Sequence, residues 1–262
     1  MTLIPTANPT IPTAQRLGFR FGDKGTHTSR TMMLDELRSV LAVTQPQAGR
    51  ADYVRAIIDD NALAKPTLST RRLSNQRLGE LYGLDVSVGV FRVMRRLWDA
   101  DDRSRPLLAL LCVIARDPLL AGTVPAVIPL RAGEEFPRIQ ARRVLREAVG
   151  PRLNDEILDK VVRNAASSWT QSGHLEGRTF KKRRRVVPTP WTVAYALYLG
   201  RAVGFQGAEL FSSGWMVVLD APPAEARSLA LEAKRLGLID LSISADIVDI
   251  SLDRLDPLPM SV

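Results

Sequence analysis

The sequence predicts a mainly α-helical fold, with a multi-helix N-terminal bundle and winged-helix-like elements in the C-terminal half. Apolar residues recur at helical spacing through most of the first 150 residues, and scattered prolines divide this stretch into short helices. After residue 150, a helix that ends at a glycine is twice followed by two short apolar strands. A length of 262 residues with 45% hydrophobic content is enough to bury a core.

Four segments follow from these patterns. The first is predicted to be an extended arm, because its prolines stand among threonine, alanine and asparagine without periodicity. The other three are separated by changes in helical pattern and in charge. In chain order the segments are an extended N-terminal arm (1–27), a helical domain (28–150), a basic winged-helix-like unit (151–204) and an acidic winged-helix-like unit (205–262).

A glycine-containing turn at residues 22–30 precedes the first amphipathic helix. The backbone N–H groups of such a turn, together with the helix dipole, can hold a phosphate, so Lys24 and Arg30 are candidate nucleic-acid contacts. The alternative is an ordinary turn in which Thr28 or Ser29 caps the helix. The turn lacks the Gly-Lys-Ser/Thr ending of a nucleotide-binding loop, and no nucleotide cofactor is expected.

Residues 51–83 are predicted to form two short helices, the second of which begins with Ser and Thr and is rich in Arg, Asn and Gln. Such a pair is typical of a helix-turn-helix, whose second helix enters the major groove. The side chains that could address base edges or phosphates are Arg71, Arg72, Asn75 and Gln76. The alternative is a solvated helix face, because helix pairs of this kind are common.

The most informative stretch is residues 153–204. Asn154 is predicted to cap a helix whose apolar residues follow at i+4 spacing, and Gly173 ends that helix. A short strand, a basic turn and a Val-Val strand come next, and Thr189 with Pro190 starts another helix. A helix, a strand, a basic turn and a strand in this order predict a winged helix.

The basic turn carries six basic side chains among the eight residues 178–185. Side chains on a wing can follow the phosphates or enter a minor groove. The candidate nucleic-acid contacts are Arg178, Lys181, Lys182, Arg183, Arg184 and Arg185, together with Gln171 and Ser172 at the end of the preceding helix. The alternative is a solvated charge run, but the capped helix and the apolar strand on either side favour ordered structure.

The same pattern returns near the C-terminus with the opposite charge. Pro222 and Pro223 open a helix that Gly237 ends, and two strands flank a turn at residues 244–246. The acidic unit carries four basic and nine acidic side chains, a net charge of −5, which leaves +13 on the rest of the chain. A polyanion is therefore expected to bind before residue 205, and the acidic unit is expected to pack or to contact a protein partner.

The net charge of +8 favours a polyanionic partner, and the basic wing makes double-stranded DNA the expected one.

The single cysteine, Cys112, lies in an apolar run and is predicted to be a buried thiol in a reducing cytoplasm. Only His27 and His174 could assist it, so neither a cysteine nucleophile nor a zinc site is expected. Without a visible triad, metal cluster or secretory signal, the expectation is a cytoplasmic protein that is not an enzyme and binds no cofactor, metal or membrane.

Several features occur together between residues 153 and 200. A helix ends in Trp-Thr-Gln-Ser-Gly-His-Leu (residues 169–175), and the basic run 181–185, Val-Val-Pro and a helix from Thr189 follow. In this order they resemble the BrxA proteins of bacterial BREX anti-phage systems. The resemblance implies a mostly helical, non-enzymatic DNA-binding component that works beside a methyltransferase and ATPases, with Arg178 and the basic run on phosphates. The acidic unit has no counterpart in that pattern.

Three functional hypotheses result. The first is a DNA-binding protein of phage defence that holds duplex DNA through its basic wing. The second is a transcriptional regulator that uses both the helix pair at residues 51–83 and the wing. The third is an adaptor that docks partner proteins through the acidic unit.

Overall fold

The computed structural model describes residues 11–244 and 247–257, and it confirms a mainly helical protein, with 58% helix and 6% strand. The helices are, in chain order, α1 (Pro12–Arg16), α2 (Leu34–Val43), α3 (Arg50–Val54), α4 (Leu68–Tyr82), α5 (Gly89–Trp98), α6 (Arg105–Arg116), α7 (Pro118–Ala121), α8 (Val124–Val127), α9 (Arg138–Val149), α10 (Asp155–Gln171), α11 (Pro190–Ala202), α12 (Gly214–Val218) and α13 (Pro223–Arg235). A π-helical turn, Arg55–Asp59, continues α3, and stretches of 3₁₀ helix lie at Thr26–Thr28, Gly150–Arg152 and Gly207–Ser212.

The strands of the described ranges form two antiparallel hairpins. They are β1 (Leu175–Glu176) with β2 (Lys182–Arg183), and β3 (Asp240–Ser244) with β4 (Ile247–Ser251). Each hairpin follows a helix that ends beside a glycine of left-handed backbone conformation, Gly173 after α10 and Gly237 after α13. The predicted order of helix, glycine and two strands is confirmed after α13. After α10 the helix, the glycine and the first strand are confirmed, but the predicted Val-Val strand is wrong, because the second strand is Lys182–Arg183, within the predicted basic turn. Residues 245–246 of the second predicted turn lie outside the described residues.

The core is built around α6, whose residues 107–115 are all buried. This helix packs against α4, α5, α10 and α11. The prediction of a buried cysteine is confirmed, and burial raises the pKa of the Cys112 thiol to about 11. The buried apolar side chains form one continuous cluster from Ala14 to Leu255. The four segments predicted from the sequence therefore share a single core.

The prediction of an extended N-terminal arm is wrong for residues 11–27, and residues 1–10 lie outside the described ranges. Helix α1 buries Ala14, and the next turn places Phe19 edge-on against Trp215, with ring centroids 6.0 Å apart. Because α1 is only five residues long, it has no measurable periodicity. The apolar side chains of this segment pack against residues far along the chain, as Phe19 does against Trp215, and the local pattern could not show such contacts.

The predicted helix pair exists, but it is not a helix-turn-helix. Helix α3 with its π-helical turn occupies the first position and α4 the second. The connection between them, residues 60–67, is longer than the roughly 3–4 residues of a helix-turn-helix. Thr67 caps α4 in a reciprocal capping box with Thr70, and α4 packs along α6 and the π-helical turn. The geometry required for entering a major groove in this way is therefore absent from the pair.

Asp117 is a buried carboxylate between α6 and α7. Its Oδ2 accepts hydrogen bonds from the backbone N–H of Thr26 at 2.7 Å, from that of His27 at 3.1 Å and from His27 Nδ1 at 2.9 Å. Its Oδ1 accepts from the backbone N–H groups of Leu119 and Leu120. Burial raises the pKa of Asp117, but the neighbouring His27 and these hydrogen bonds outweigh it and hold that pKa below its ordinary value.

His27 extends this contact to α10. Its Nε2 lies 2.8 Å from Ser168 Oγ, and its carbonyl accepts from Asn164 Nδ2 at 2.8 Å. Ser168 Oγ also accepts from the backbone N–H of Met32 at 2.8 Å. The segment before α2 is thus fastened to α10 on one side and to the start of α7 on the other.

The turn at residues 22–30 therefore binds a carboxylate of the protein itself. The N–H groups of Thr26 and His27, which the sequence offered for a phosphate, are directed at Asp117. A β-carbon at Gly25 would clash with the same carboxylate, so glycine is required there for close approach. The prediction of a phosphate-binding turn is wrong because an internal anion occupies it.

We expect Asp117→Asn to lower the free energy of unfolding by about 3 kcal/mol, because an amide cannot accept from all five N–H groups and leaves buried donors unpaired. Urea denaturation followed by circular dichroism measures this change. Asp35→Asn is the matched control, since Asp35 is exposed in the first turn of α2 and, within the described ranges, forms an ion pair with Arg38 alone. Equal midpoints for the two variants would contradict the structural role of Asp117.

Candidate nucleic-acid interface

The basic run lies in a hairpin that a third segment extends. Residues 133–136 run alongside β2, where the backbone N–H of Gly133 donates to the carbonyl of Arg183 and that of Arg183 donates to Glu134, both at 2.8 Å. The N–H of Phe136 donates to Lys181 in the same way. One edge of the hairpin is therefore covered, which fixes its position against the start of α9.

Arg183 does not face solvent. Its side chain is 1% exposed and its Nη2 lies 2.5 Å from Asp220 Oδ1, while Asp220 Oδ2 accepts from the backbone N–H of Val186 at 2.9 Å. The predicted phosphate contact of Arg183 is wrong, because its charge is neutralised inside the protein. Strand geometry explains this, since alternate side chains of β2 point to opposite faces and Arg183 points inward.

His174 and Ser172 are buried beside this ion pair. His174 Nε2 donates to the carbonyl of Val218 at 2.7 Å, and its Nδ1 lies 2.9 Å from Ser172 Oγ. The His174 carbonyl accepts from the backbone N–H of Arg184 at 2.8 Å. Burial, with a smaller effect of Arg183, lowers the pKa of His174 to about 4 against the hydrogen bond to Val218. Ser172 therefore supports the hairpin, and its predicted contact with nucleic acid is wrong.

Gln171 serves as a helix cap. Its Oε1 accepts from the backbone N–H of Leu34, the first residue of α2, and its Nε2 donates to Thr31 Oγ1, both at 3.1 Å. The cap comes from a side chain far along the chain, so neither Thr28 nor Ser29 caps α2 as the sequence suggested. Both ends of its amide are thus engaged within the protein, and a contact of Gln171 with nucleic acid stays a prediction.

Two exposed residues of the run stand among carboxylates. Arg184 lies 3.5 Å from Glu176 on the neighbouring strand. Lys182 is opposite Glu176 in the register of β1 and β2, and an isolated backbone β-bridge places Glu135 opposite it on the other side. The positive charge of this strand face is therefore partly balanced locally.

The tip and the end of the run carry the less compensated charge. Arg178 and Arg185 are exposed, and their side chains have no polar partner within the described part of the chain. Lys181 donates to Thr170 Oγ1 at 2.7 Å. Burial lowers the pKa of Lys181, and the nearby cation of Arg138 lowers it further. The cations at the tip therefore lie close to the Arg138 cation of α9.

A groove between α9 and α10 continues from the hairpin tip, with a volume of about 440 Å³. Its lining residues are Arg138, Ile139, Arg142, Glu156, Asp159, Val162 and Arg163. Arg138 Nη2 donates to the carbonyl of Thr179 at 2.8 Å and so joins the groove to the tip. Arg142 lies 3.5 Å from Asp159, whereas the exposed Arg163 has no side-chain partner among the described residues.

We refer to Arg138, Arg142, Arg163, Arg178 and Lys181 together as the basic surface. Three of the five, Arg138, Arg142 and Arg163, were missed in the sequence. Arg138 and Arg142 could have been found from their i, i+4 spacing on the predicted helix. The apolar Ala141 and Leu145 of α9 are buried, so the two arginines lie on the opposite, outer side of the helix. Nothing local to the sequence indicated that α10 would bring Arg163 to the same groove.

The other predicted contacts lie on α4 and in the N-terminal turn. Arg71 donates to the carbonyls of Lys65 and Ile58. Asn75 accepts from Arg50 at 2.8 Å. Both side chains therefore have partners within the protein, and their contacts with bases remain predictions.

Four predicted contacts stay exposed. Gln76 donates to Glu80 at 3.0 Å, and Arg30 donates to the carbonyl of Ser29. Arg72 and Lys24 have no side-chain partner among the described residues. Their roles in binding remain predictions, and the structure joins none of them to the basic surface by a described contact.

Ser168, His27 and Asp117 form a row that has the order of a catalytic triad, which the sequence did not reveal. Its distances are 2.8 Å from Ser168 Oγ to His27 Nε2 and 2.9 Å from His27 Nδ1 to Asp117 Oδ2. Ser168 is fully buried, and its hydroxyl is also bonded to the backbone of Met32 and Asn164. The hydroxyl cannot meet a substrate, and the row is a structural connection.

No protein-family model matches the chain, and no curated protein matches it at a significant level. In the described ranges, no single helix is long and apolar enough to cross a membrane. The pair Arg105–Arg116 and Pro118–Val127 has sufficient length and composition, but it is bent by 104° and lies in the core.

We expect Asp220→Asn to cost about 3–5 kcal/mol of folding free energy, because it leaves the buried Arg183 cation without its counter-ion. Asparagine tolerates the left-handed φ of 55° at this position, so the backbone is preserved. The loss is measured by urea denaturation. Glu176→Gln, which breaks the exposed pair with Arg184, is the matched control and should be nearly neutral. An Asp220→Asn protein as stable as the control would show that the pair does not anchor the hairpin.

Stability should also fall as the pH drops below about 6.5. The folded-state pKa of His174, about 4, lies below its ordinary value of 6.5, so the unfolded chain binds a proton first. The full difference corresponds to roughly 3 kcal/mol between pH 6.5 and pH 4. His174→Gln keeps a donor for Val218 without a titrating group, and its urea midpoint should change less between pH 7 and pH 5. Parallel pH profiles for the two proteins would refute this prediction.

Proposed function

We propose that the protein binds duplex DNA through the basic surface, without catalysis of its own. The observation that carries the proposal is the hydrogen bond from Arg138 to Thr179, which joins the arginines of α9 and α10 to the exposed tip of the hairpin. Cations from three elements thereby meet on one side of the molecule. A row of this kind matches the spaced negative charges of a phosphate backbone.

The distribution of acidic partners favours the same surface. Arg142 is the one member with a carboxylate within 4 Å in the described residues, and that distance, 3.5 Å to Asp159, is long. By contrast, the strand face carrying Lys182 and Arg184 is lined by glutamates. Phosphates are bound most strongly by arginines whose charge no carboxylate already neutralises. The contact region that we propose is therefore the tip and the groove, and not the strand.

The resemblance to BrxA proteins supplies the cellular setting of the proposal, which is phage defence. A defence component should bind many duplexes with similar affinity, whereas a transcriptional regulator should protect a specific sequence beside its own gene. Footprinting on the neighbouring intergenic DNA distinguishes the two. The identity of the neighbouring genes, and plaque counts after deletion of this one, test the defence setting directly.

A second candidate function is that of an adaptor that docks proteins through the acidic unit. It is favoured by exposed apolar side chains on that unit, among them Leu236, Ile243 and Ile247, which are 51%, 41% and 74% exposed. Co-purification of products of neighbouring genes with a protein lacking Arg138 and Arg163 would support it. Loss of DNA binding with retained co-purification would show that the two functions are separate.

The double substitution Arg138→Ala with Arg163→Ala should weaken duplex binding about tenfold at low salt and reduce the slope of log K against log salt by up to about 2. Fluorescence anisotropy titrations at several salt concentrations measure both. Arg103→Ala with Arg235→Ala is the matched control, because it removes the same charge from exposed positions outside the basic surface. If the control lost as much affinity, binding would follow net charge and not this surface.

A further inference from the structure

The tip of the hairpin exposes a phenyl ring among the cations of the basic surface. Phe180 is 69% exposed, and it stands between Thr179, which binds Arg138, and Lys181. Ile139, next to Arg138 in the first turn of α9, is 84% exposed. Two large apolar side chains are therefore held in water at a site surrounded by arginine and lysine.

The turn that carries Phe180 is held in place by contacts on both of its ends. Gly177 has a left-handed φ of 102°, and a β-carbon there would clash with the carbonyl of Phe180. Lys181 Nζ binds the carbonyl of Gly177 at 3.3 Å and Thr170 Oγ1 on α10 at 2.7 Å. The ring is presented from a braced turn, so little conformational freedom is left to lose when it meets a partner.

The charge around the ring selects the kind of partner. Arg178 and Arg138 flank the tip, and no carboxylate of the described residues pairs with either. A protein partner would have to match an aromatic ring with several anions around it, whereas DNA offers stacked bases with a phosphate on each side. Apolar side chains on DNA-binding proteins insert between base steps and unstack them.

We propose that Phe180 is a stacking wedge that enters a base step of the bound duplex while Arg178 and Arg138 hold the flanking phosphates. This inference rests on the proposed DNA binding and adds a preference for duplexes that unstack easily. Insertion has to break base stacking, and the cost is smallest at a mismatch. A mismatched duplex should therefore bind more tightly than its fully paired counterpart.

The test compares wild type with Phe180→Ala, Phe180→Trp and the control Val187→Ala on paired and centrally mismatched duplexes of equal length. Val187 is 79% exposed just beyond the basic run, so its truncation removes a similar exposed apolar group. Each duplex carries a fluorescent purine analogue beside the centre, whose emission rises when it is unstacked. Thermal denaturation of each variant should match wild type, because both side chains are exposed.

We expect Phe180→Ala to bind the mismatched duplex about tenfold more weakly and to abolish the change in emission, with Phe180→Trp restoring both. Val187→Ala should behave as wild type. If wild type binds both duplexes with a steep salt dependence but Phe180→Ala is indistinguishable from it, the wedge is refuted and DNA binding stands. If wild type binds neither duplex, the proposed function itself fails. Loss of binding to anionic lipid vesicles in Phe180→Ala, with DNA binding unchanged, would overturn the wedge in favour of a membrane contact.

Discussion

A carboxylate buried between two helices has to be surrounded by hydrogen-bond donors. Asp117 obtains them from the residues that follow it and from a turn about 90 positions earlier in the chain. Backbone N–H groups at residues 26–27 and 119–120, with the ring of His27, close around it. His27 then reaches Ser168 on α10. Since α10 runs directly into Gly173 and β1, the position of the basic hairpin depends on this buried contact. The same contact explains why the N–H groups of Thr26 and His27 are not available to an external anion.

Local signals predicted the elements well. The Asn154 cap of α10, the glycines that follow α10 and α13, and the capped start of α11 are confirmed. Each of these depends on residues within a few positions of one another. The candidate site was harder to predict because its decisive contacts are non-local. Arg183 pairs with a residue 37 positions away, and Gln171 caps a helix that begins 137 positions earlier. No periodicity or composition carries that information.

The basic run also shows how a strand divides a charge cluster. Because neighbouring side chains of β2 point to opposite faces, five consecutive basic residues cannot all meet one ligand. One is buried and two lie beside glutamates. Of the other two, Lys181 belongs to the basic surface with arginines of α9 and α10 that are distant in sequence, whereas Arg185 is exposed without a polar partner in the described ranges. The density of basic residues along the sequence therefore indicated the hairpin, but not which of its side chains face outward together.

The pairing of Arg183 with Asp220 also bears on how the chain could be divided. Asp220 lies beyond residue 205, between α12 and α13, and its carboxylate completes the interior of a hairpin that precedes it. Farther on, Asp256 binds Arg92 at 2.8 Å and Tyr198 at 2.9 Å. A protein shortened after residue 204 would keep every element of the basic unit yet leave a cation enclosed without an anion. The acidic unit is thus not a detachable module. A recombinant fragment or gene fusion that separates it from the basic unit at this boundary would also destabilise the basic hairpin.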